Sequence, residues 1–423
     1  MQYHSTGDFN IEECVLTSHK GEQIDISQLF GQLNIYESIF SNTLSGNITL
    51  VDAIGLIEGM PIIGEETISI KLSRLENIII DGTFKVYKIS NRIKTKDHTE
   101  AYSLHFTSYE QISCMGKSIS RAYVGKKISD IIENVFTNFI KTPKRYLIEP
   151  SKYLHKLIIP RMSPFESINW LVSQAVSQTN IGADYLAYED LDGFKVISLE
   201  TLYTRPSKLI YHKSTANLLS PGSSNDRTEL DSDRTSIVEM YMKSTNDVLT
   251  NISTGAFANK ITTFDPIRKL HDSHEYFMVN KFDQLTNLNS SKLNSNKFIG
   301  FTGISNSRFI VTDIGMSNQS HINTLDKTIF NDNPENYLQS RISQINRILG
   351  GHQFVIKVPG NKVRVGEKVT LNLNSNIPGN TEEIDLSSYG DYLITKIRHK
   401  IEPDNYFQEM EIARDSGTQK HEQ

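Results

Sequence analysis

The chain has 423 residues, of which 22% are charged and 38% apolar, and this length exceeds what one core usually holds, so two or three domains are expected. The formal net charge of −5 comes without a basic cluster, which argues against binding to a nucleic-acid backbone. No stretch approaches the ~18 apolar residues that a membrane-spanning helix requires, so no membrane insertion is expected. Residues Met1–Asp8 lack the basic and apolar parts of a signal peptide.

The first 115 residues predict a small antiparallel β-barrel. Short apolar runs alternate with polar residues as in half-buried strands, for example at Ile68, Ile70 and Leu72. The predicted strands are 13–17, 33–39, 46–51, 64–72 and 84–89. That number of short strands is enough to close a small barrel.

Residues 116–205 predict a smaller α/β domain. An apolar stripe at i, i+3, i+4 and i+7 indicates a helix over 128–140, which Thr142 and Pro143 end. A second helix begins at Ser163, with Pro164 after the cap and Glu166 completing a capping box. Trp170, the only tryptophan, lies beside that helix's apolar stripe, where packing in a core or interface is favoured over stacking on a ligand. A hairpin is predicted over 184–199.

The remainder predicts a second β-barrel made of 206–250 and 350–414, interrupted by an insertion at 251–349. The insertion contains a segment at 284–297 rich in Asn, Ser and Lys, predicted to be an exposed mobile loop, and a helix starting at 333–337 and ending at Leu349. Strands are predicted at 354–358, 365–373, 391–401 and 407–412. The polar tail, 415–423, is predicted to be disordered.

The two β regions repeat the same order of strands. The run from Gly64 to Leu72 matches that from Gly366 to Leu373 at an offset of 302 residues, and Phe84 matches Tyr392 at an offset of 308. Near-constant offsets over several strands favour a duplicated β-domain.

Few residues suggest chemistry. The chain has no GxSxG, phosphate-loop or HExxH motif. The pair His271 and His274 has the spacing of some metal ligands, but a solvated turn is favoured there, and Asp231–Asp233 lacks the later residues of a calcium loop. Cys14 and Cys114 are far apart and are expected to be reduced, partly buried thiols. We therefore predict no catalytic, cofactor-binding or metal-binding residues, no cofactor and no enzymatic activity.

In their linear order, several segments resemble the central baseplate hub protein of contractile-tailed, T-even-like bacteriophages, which is related to the hub part of type VI secretion spike proteins. The resemblance is carried by Leu44–Asp52, the Gly64 strand, the helix over 128–140, Ser163–Ile168, and the closing strands at Gly366 and 392–414. Residues 284–330 fit the pattern poorly.

The resemblance implies a mainly β fold with α+β parts, in which two similar tube-protein-like antiparallel β-barrel domains flank the α/β domain. It implies a homotrimer whose six barrels form a pseudo-hexameric ring. The implied partners are a trimeric central spike protein, the tail tube or a tube-initiator protein, and other baseplate proteins, with DNA only passing through the lumen. The implied location is the tail baseplate of a virion assembled in the host cytoplasm.

Three alternatives remain at the level of sequence. The chain could be a tail-associated cell-wall hydrolase, a glycan- or receptor-binding tail protein, or the hub of a related bacterial contractile injection system. A peptidoglycan zymogram distinguishes the first of these from a hub, and a glycan array the second.

Overall fold

The fold is mainly β with several sheets. A computed structural model describes residues 7–59, 62–74, 77–96, 99–213, 234–245, 247–266, 269–293, 306–311, 334, 337–374 and 384–418. The strands are β1 (Asn10–Thr17), β2 (Gln23–Asp25), β3 (Phe30–Ser38), β4 (Ser45–Asp52), β5 (Thr67–Arg74), β6 (Asn77–Lys96), β7 (Thr99–Ser108), β8 (Ile119–Lys127), β9 (Tyr146–Ile148), β10 (Leu154–Met162), β11 (Tyr185–Asp190), β12 (Gly193–Ser198), β13 (Ile210–Lys213), β14 (Ser236–Ile237), β15 (Glu239–Ser244), β16 (Ala258–Asp265), β17 (Leu270–Phe277), β18 (Asn306–Val311), β19 (His352–Pro359), β20 (Lys368–Asn372), β21 (Gly390–Glu402) and β22 (Asn405–Arg414).

Short helices connect and cover these strands. They are α1 (Leu56–Gly59), α2 (Tyr109–Met115), α3 (Ile128–Val135), α4 (Pro164–Val172), α5 (Leu199–Thr204), α6 (Val248–Thr254), α7 (Met278–Lys281) and α8 (Leu338–Leu349). Helix α3 continues as a π-helical turn over Phe136–Ile140, so the helix predicted over 128–140 is confirmed. The predicted capping box of α4 is also confirmed, because Ser163 and Glu166 each accept a backbone amide of the other.

One sheet of 14 strands forms the frame of the molecule. Its main path runs β14-β13-β20-β21-β3-β4-β7-β6-β5-β1-β2, and a branch adds β22, β19 and β15 beside β21. The strands close over two apolar clusters, one around Ile48 and Leu104, the other around Ile356 and Met410. A third cluster fills the middle unit, between α3, α4 and the β11-β12 hairpin.

The order of five strands occurs twice within this sheet. In the first set the spatial order is β5-β6-β7-β4-β3, and in the second it is β20-β21-β22-β19-β15, with every neighbouring pair antiparallel. In the second set, the insertion lies between β15 and β19, where the first set has only the short connection from β3 to β4.

The pairing register of the two sets also agrees. Ile48 lies opposite Leu104 in the first set, and Ile356 lies opposite Met410 in the second. Phe84 and Tyr392, matched in the sequence, lie opposite Ile68 and Val369 respectively. Ile68 and Val369 are therefore counterparts. Their offset is one residue smaller than the offset of 302 residues between Gly64 and Gly366.

Gly64 and Gly366 occupy the same kind of position in the two sets. Both have positive φ, +93° and +76°, a conformation that glycine adopts without steric cost. Each lies in the turn immediately before its strand, which is why β20 begins at Lys368 and not at the predicted residue 365. The β-bulge in the next strand is shared too, between Val86 and Lys88 in β6 and between Ile394 and Lys396 in β21.

Two segments predicted to be mobile or disordered are packed into the fold. Leu285 and Leu288, within the predicted loop 284–297, are buried, and the Asn289 side chain donates to Asp391 O at 3.0 Å. These two leucines, three residues apart, supply apolar surface for packing. The polar composition of the rest of the segment led to the prediction of an exposed loop. In the predicted tail, Asp415 and Ser416 are buried and hydrogen-bonded to the same segment, so the prediction of disorder is wrong for 415–418. Residues 294–297 and 419–423 lie outside the described residues.

Candidate assembly interface

Strand β21 joins the two five-strand sets. Its first part, Gly390–Leu393, pairs with β20 of its own set, and its second part, Lys396–Ile401, pairs antiparallel with β3 of the other set. Its Ile397 belongs to the second apolar cluster, whereas Ile401 belongs to the first. A single strand therefore contributes to both cores, and the two sets meet through backbone hydrogen bonds.

A buried polar group lies in this joint. His399 on β21 is fully buried, with Nε2 2.7 Å from Glu37 Oε1 on β3 and Nδ1 2.7 Å from the Tyr406 hydroxyl. If the Tyr406 hydroxyl donates to Nδ1, then Nε2–H donates to the Glu37 carboxylate, and each atom has a partner. Burial raises the pKa of Tyr406, which keeps that hydroxyl protonated. The group fixes the register of β3 against β21, since a slip would leave these polar atoms unpaired.

A second buried polar group ties the first strand set to the middle unit. The Glu189 carboxylate accepts from Ser108 Oγ at 2.6 Å, from the Leu44 amide at 2.9 Å and from Lys144 Nζ at 2.6 Å. Lys144 also donates to Glu110 Oε2 at 2.9 Å. Burial raises the pKa of Glu189, whereas the pKa of Lys144 is raised because its two carboxylate neighbours outweigh its own burial.

A third group ties the middle unit to helix α8. Arg341 Nη1 on that helix donates to the carbonyl oxygens of Val172, Ala183 and Tyr185 at 2.9 to 3.2 Å. Asp184 lies beside them, fully buried, and accepts from the Glu200 amide at 3.0 Å. Burial, and then the nearby Glu200 carboxylate, raise the pKa of Asp184 to about 7. These contacts hold the insertion's helix α8 in a fixed position against the middle unit.

Asp184 predicts a pH dependence of stability. Its pKa is about 7 in the fold against an ordinary value of 3.8, so the folded state binds more protons between these pH values and stability falls as pH rises from about 4 to 7. We expect Asp184→Asn to make this fall shallower by up to about 1.4 kcal/mol per pH unit. Urea unfolding at several pH values measures it. The exposed Asp283→Asn is the control, and an unchanged slope in Asp184→Asn would contradict the prediction.

Two of the strand edges of the large sheet that lack a strand partner among the described residues expose large apolar side chains. One is the outer edge of β15, whose other side pairs with β19. The other is the far part of β6, from Lys88 to Lys94, which pairs with β7 on one side, whereas β5 covers only the residues up to Lys85. Large apolar side chains are exposed on both, with Tyr241 63% and Ile93 61% exposed. Open strand edges that expose apolar residues are sites for pairing with another chain.

The residues considered from the sequence for chemistry do not come together. Trp170 packs against the third apolar cluster, as predicted. His271 and His274 lie on strand β17, not in the predicted turn, and Nε2 of His274 lies 3.4 Å from the Asp272 carboxylate. Asp231–Asp233 lies outside the described residues. Cys14 and Cys114 are free, buried and in different clusters, and burial raises the pKa of Cys14 to about 12.

Sequence reasoning did not identify the buried polar residues, although the pattern contained a signal for some of them. Glu37 continues the inward alternation of Leu33 and Ile35, and His399 lies midway between the inward residues Ile397 and Ile401. A charged or polar residue at an inward strand position indicates a buried, paired group. Across the described residues, no cluster of three His, Cys, Asp or Glu forms a metal site. No described helix is long and apolar enough to cross a bilayer.

Comparisons with known proteins agree with the resemblance to phage baseplate hub proteins. No family model matches the chain. The probable baseplate hub protein gp334 of Vibrio phage KVP40 is 22% identical over 409 residues, which cover 91% of this chain and 89% of that protein. The resemblance found in the sequence is thereby confirmed.

Two solved structures share the fold. The tail protein from Neisseria meningitidis MC58 covers 96% of this chain and 97% of its own, with 11% identity and a TM-score of 0.55. The 43 kDa tail protein of prophage MuSo2 from Shewanella oneidensis covers 96% and 98%, with 10% identity and a TM-score of 0.53. At these identities the likeness extends to the fold alone.

Proposed function

We propose that the chain is a structural hub of a contractile phage tail baseplate. Three copies assemble into a ring in which the two strand sets of each chain, as tube-like β-barrels on either side of the α/β unit, present six similar units. One face of the ring meets the hexameric tail tube, and the other holds the trimeric central spike. The chain acts without catalysis, in the baseplate of a virion assembled in the host cytoplasm, and DNA passes only through the lumen.

The observation that carries this proposal is the repeated five-strand set with its matched registers. A protein at the junction of a sixfold and a threefold object must present six similar surfaces from three chains, and an internal repeat supplies them. The similarity to a probable baseplate hub protein over nine-tenths of the chain supports the same role. The net charge of −5 fits a lumen that DNA traverses, because such a wall does not retain phosphates.

The buried polar groups support a mechanical role. Glu37 and His399 join the two strand sets, and Glu189 and Lys144 join the first set to the middle unit. These contacts keep the parts of one chain at fixed relative positions, since breaking any of them leaves a buried charge or polar atom unpaired. A hub that transmits force from tube to spike needs this stiffness.

Light scattering of the purified chain tests the assembly. We expect a species with three times the chain's mass of 48.0 kDa, formed by the chain alone or on addition of its spike protein. Negative-stain images of that species are expected to show a ring with six similar lobes. A chain that stays monomeric and binds neither spike nor tube protein would contradict the proposed function.

A further inference from the structure

We propose that β15 of one copy pairs antiparallel with the far part of β6 of the next copy, and that this strand pairing is the contact that closes the ring. The inference rests on the proposed function for the number of copies, but the pairing itself is argued from the repeat. Within one chain, β15, β19, β22, β21, β3, β4, β7 and β6 form a continuous run of neighbours, and the two open edges are the two ends of that run.

Strand β15 is the counterpart of β3. Leu33 on β3 lies opposite Ile48, and Met240 on β15 lies opposite Ile356. Ile48 and Ile356 are themselves counterparts, so both strands occupy the same place in their sets. The outer edge of β3 pairs with β21, whereas the same edge of β15 is open within the described residues.

The open part of β6 is the counterpart of the part of β21 that pairs with β3. Ile89 lies opposite Leu104, and Ile397 lies opposite Met410. Both stretches follow the shared β-bulge, and both begin where the neighbouring strand of the set ends, β5 in one and β20 in the other. The two open edges therefore correspond to the two edges that already pair inside the chain.

The internal pair of β21 with β3 predicts the register of the pair between copies. In the internal pair, Arg398 lies opposite Tyr36 and Lys400 opposite Asn34. Their counterparts place Ser90 opposite Ser244 and Ile93 opposite Tyr241 of the next copy. Relative to the internal pair, β6 and β15 each contain one extra residue between these two positions, at the register shifts Ser90/Ile93 and Met242/Ser244. The two extra residues cancel, so one uniform antiparallel register connects the edges.

The side chains fit this contact. Ile93 and Tyr241, the two most exposed apolar residues of the edges, are 61% and 63% exposed in the single chain and come directly opposite each other. Such a pair of a β-branched and an aromatic residue is a favourable cross-strand contact. Because the contact uses a different edge on each copy, it is heterologous, and it closes into a ring only when the rotation between copies divides a full turn.

Disulfide trapping tests the register. In Ile93→Cys with Tyr241→Cys, the two new thiols lie opposite each other only across the proposed contact, within the range that a disulfide spans. Under mild oxidation we expect most of the chain to run as a covalent trimer without reductant, whereas each single variant remains uncross-linked. Ser38→Cys with Lys396→Cys, opposite each other in the internal pair, is the matched control and should form an intramolecular disulfide only.

A charge exchange provides an independent readout. We expect the Ile93→Glu variant and the Tyr241→Lys variant, each studied alone, to lower the trimer fraction in light scattering at least tenfold. We expect the double variant to restore most of the trimer fraction. Both side chains are exposed in the single chain, so folding should be unaffected.

The outcomes separate this inference from the proposed function. A trimer that forms without the disulfide overturns the strand pairing and leaves the hub proposal standing. Cross-linked open chains of variable length overturn the closed ring of three but support the pairing. A monomer with no cross-link under any condition overturns both.

Discussion

Replacing Glu189 by alanine is expected to lower the free energy of unfolding by about 2–4 kcal/mol, because it leaves the buried Ser108 hydroxyl and Leu44 amide without their acceptor and removes one of the two carboxylates that pair with the partly exposed Lys144 ammonium. Urea unfolding followed by tryptophan fluorescence and by circular dichroism measures the loss. The single tryptophan, Trp170, lies in the middle unit, so fluorescence reports on that unit while circular dichroism reports on the whole chain.

Three further variants separate the sources of this loss. Glu189→Gln keeps an acceptor oxygen and should lose less than the alanine variant. Glu189→Ala combined with Lys144→Met should not recover the loss, because methionine leaves the buried Glu110 carboxylate without its ammonium partner. Lys260→Ala breaks an exposed pair with Glu275 and should change stability by at most about 1 kcal/mol. If Glu189→Ala were no more costly than Lys260→Ala, the Glu189 carboxylate would not stabilise the contact between the first strand set and the middle unit.

Local patterns were sufficient to predict several of the regular elements. Ile68, Ile70 and Leu72 alternate with polar residues and are buried as expected, and the capping box at Ser163 and Glu166 fixed the start of α4. These features depend on the residues' immediate neighbours, which a sequence displays directly.

The parts that were missed depend on contacts between distant segments. Nothing near Asp415 indicates that Arg347 pairs with it at 2.9 Å in a buried position, so the polar tail looked disordered. The division of β21 between two partners, β20 and then β3, likewise depends on where the first strand set lies in space. The candidate interface was therefore invisible in the sequence, because an open edge is defined by the absence of a neighbour.

The repeat is an intermediate case. Matching Gly64 with Gly366 and Phe84 with Tyr392 identified counterpart elements, but the pairing register corrected the first strand by one residue. The match of the two glycines does not set the register of the strand, because Gly64 lies four residues before Ile68 whereas Gly366 lies three residues before its counterpart Val369. The strand neighbours and the shared bulge decide it.

The counterparts also explain a difference in side-chain size. Gly46 on β4 lies opposite Phe106, whereas its counterpart Phe354 on β19 lies opposite Ile412. The aromatic side chain therefore lies on β7 in the first set and on β19 in the second, and each pair contributes one aromatic side chain to its core. A Cβ at position 46 would overlap the Phe106 ring and the backbone oxygen of Asn34 on the neighbouring strand β3.

Gly46→Ala is therefore expected to lower the free energy of unfolding by about 3 kcal/mol, the upper end of the usual range for overpacking, because a paired backbone cannot shift as a flexible side chain can. Phe106→Leu in the same chain should relieve the overlap with the ring but not that with Asn34, so it should restore stability only in part. Gly116→Ala is the matched control, since a Cβ there meets no atom within 4 Å and its φ of −92° suits alanine. Urea unfolding compares the three variants. Equal stability of Gly46→Ala and Gly116→Ala would mean that β3 and β4 tolerate separation, and the stiffness argued for the hub would then lack its basis in the first strand set.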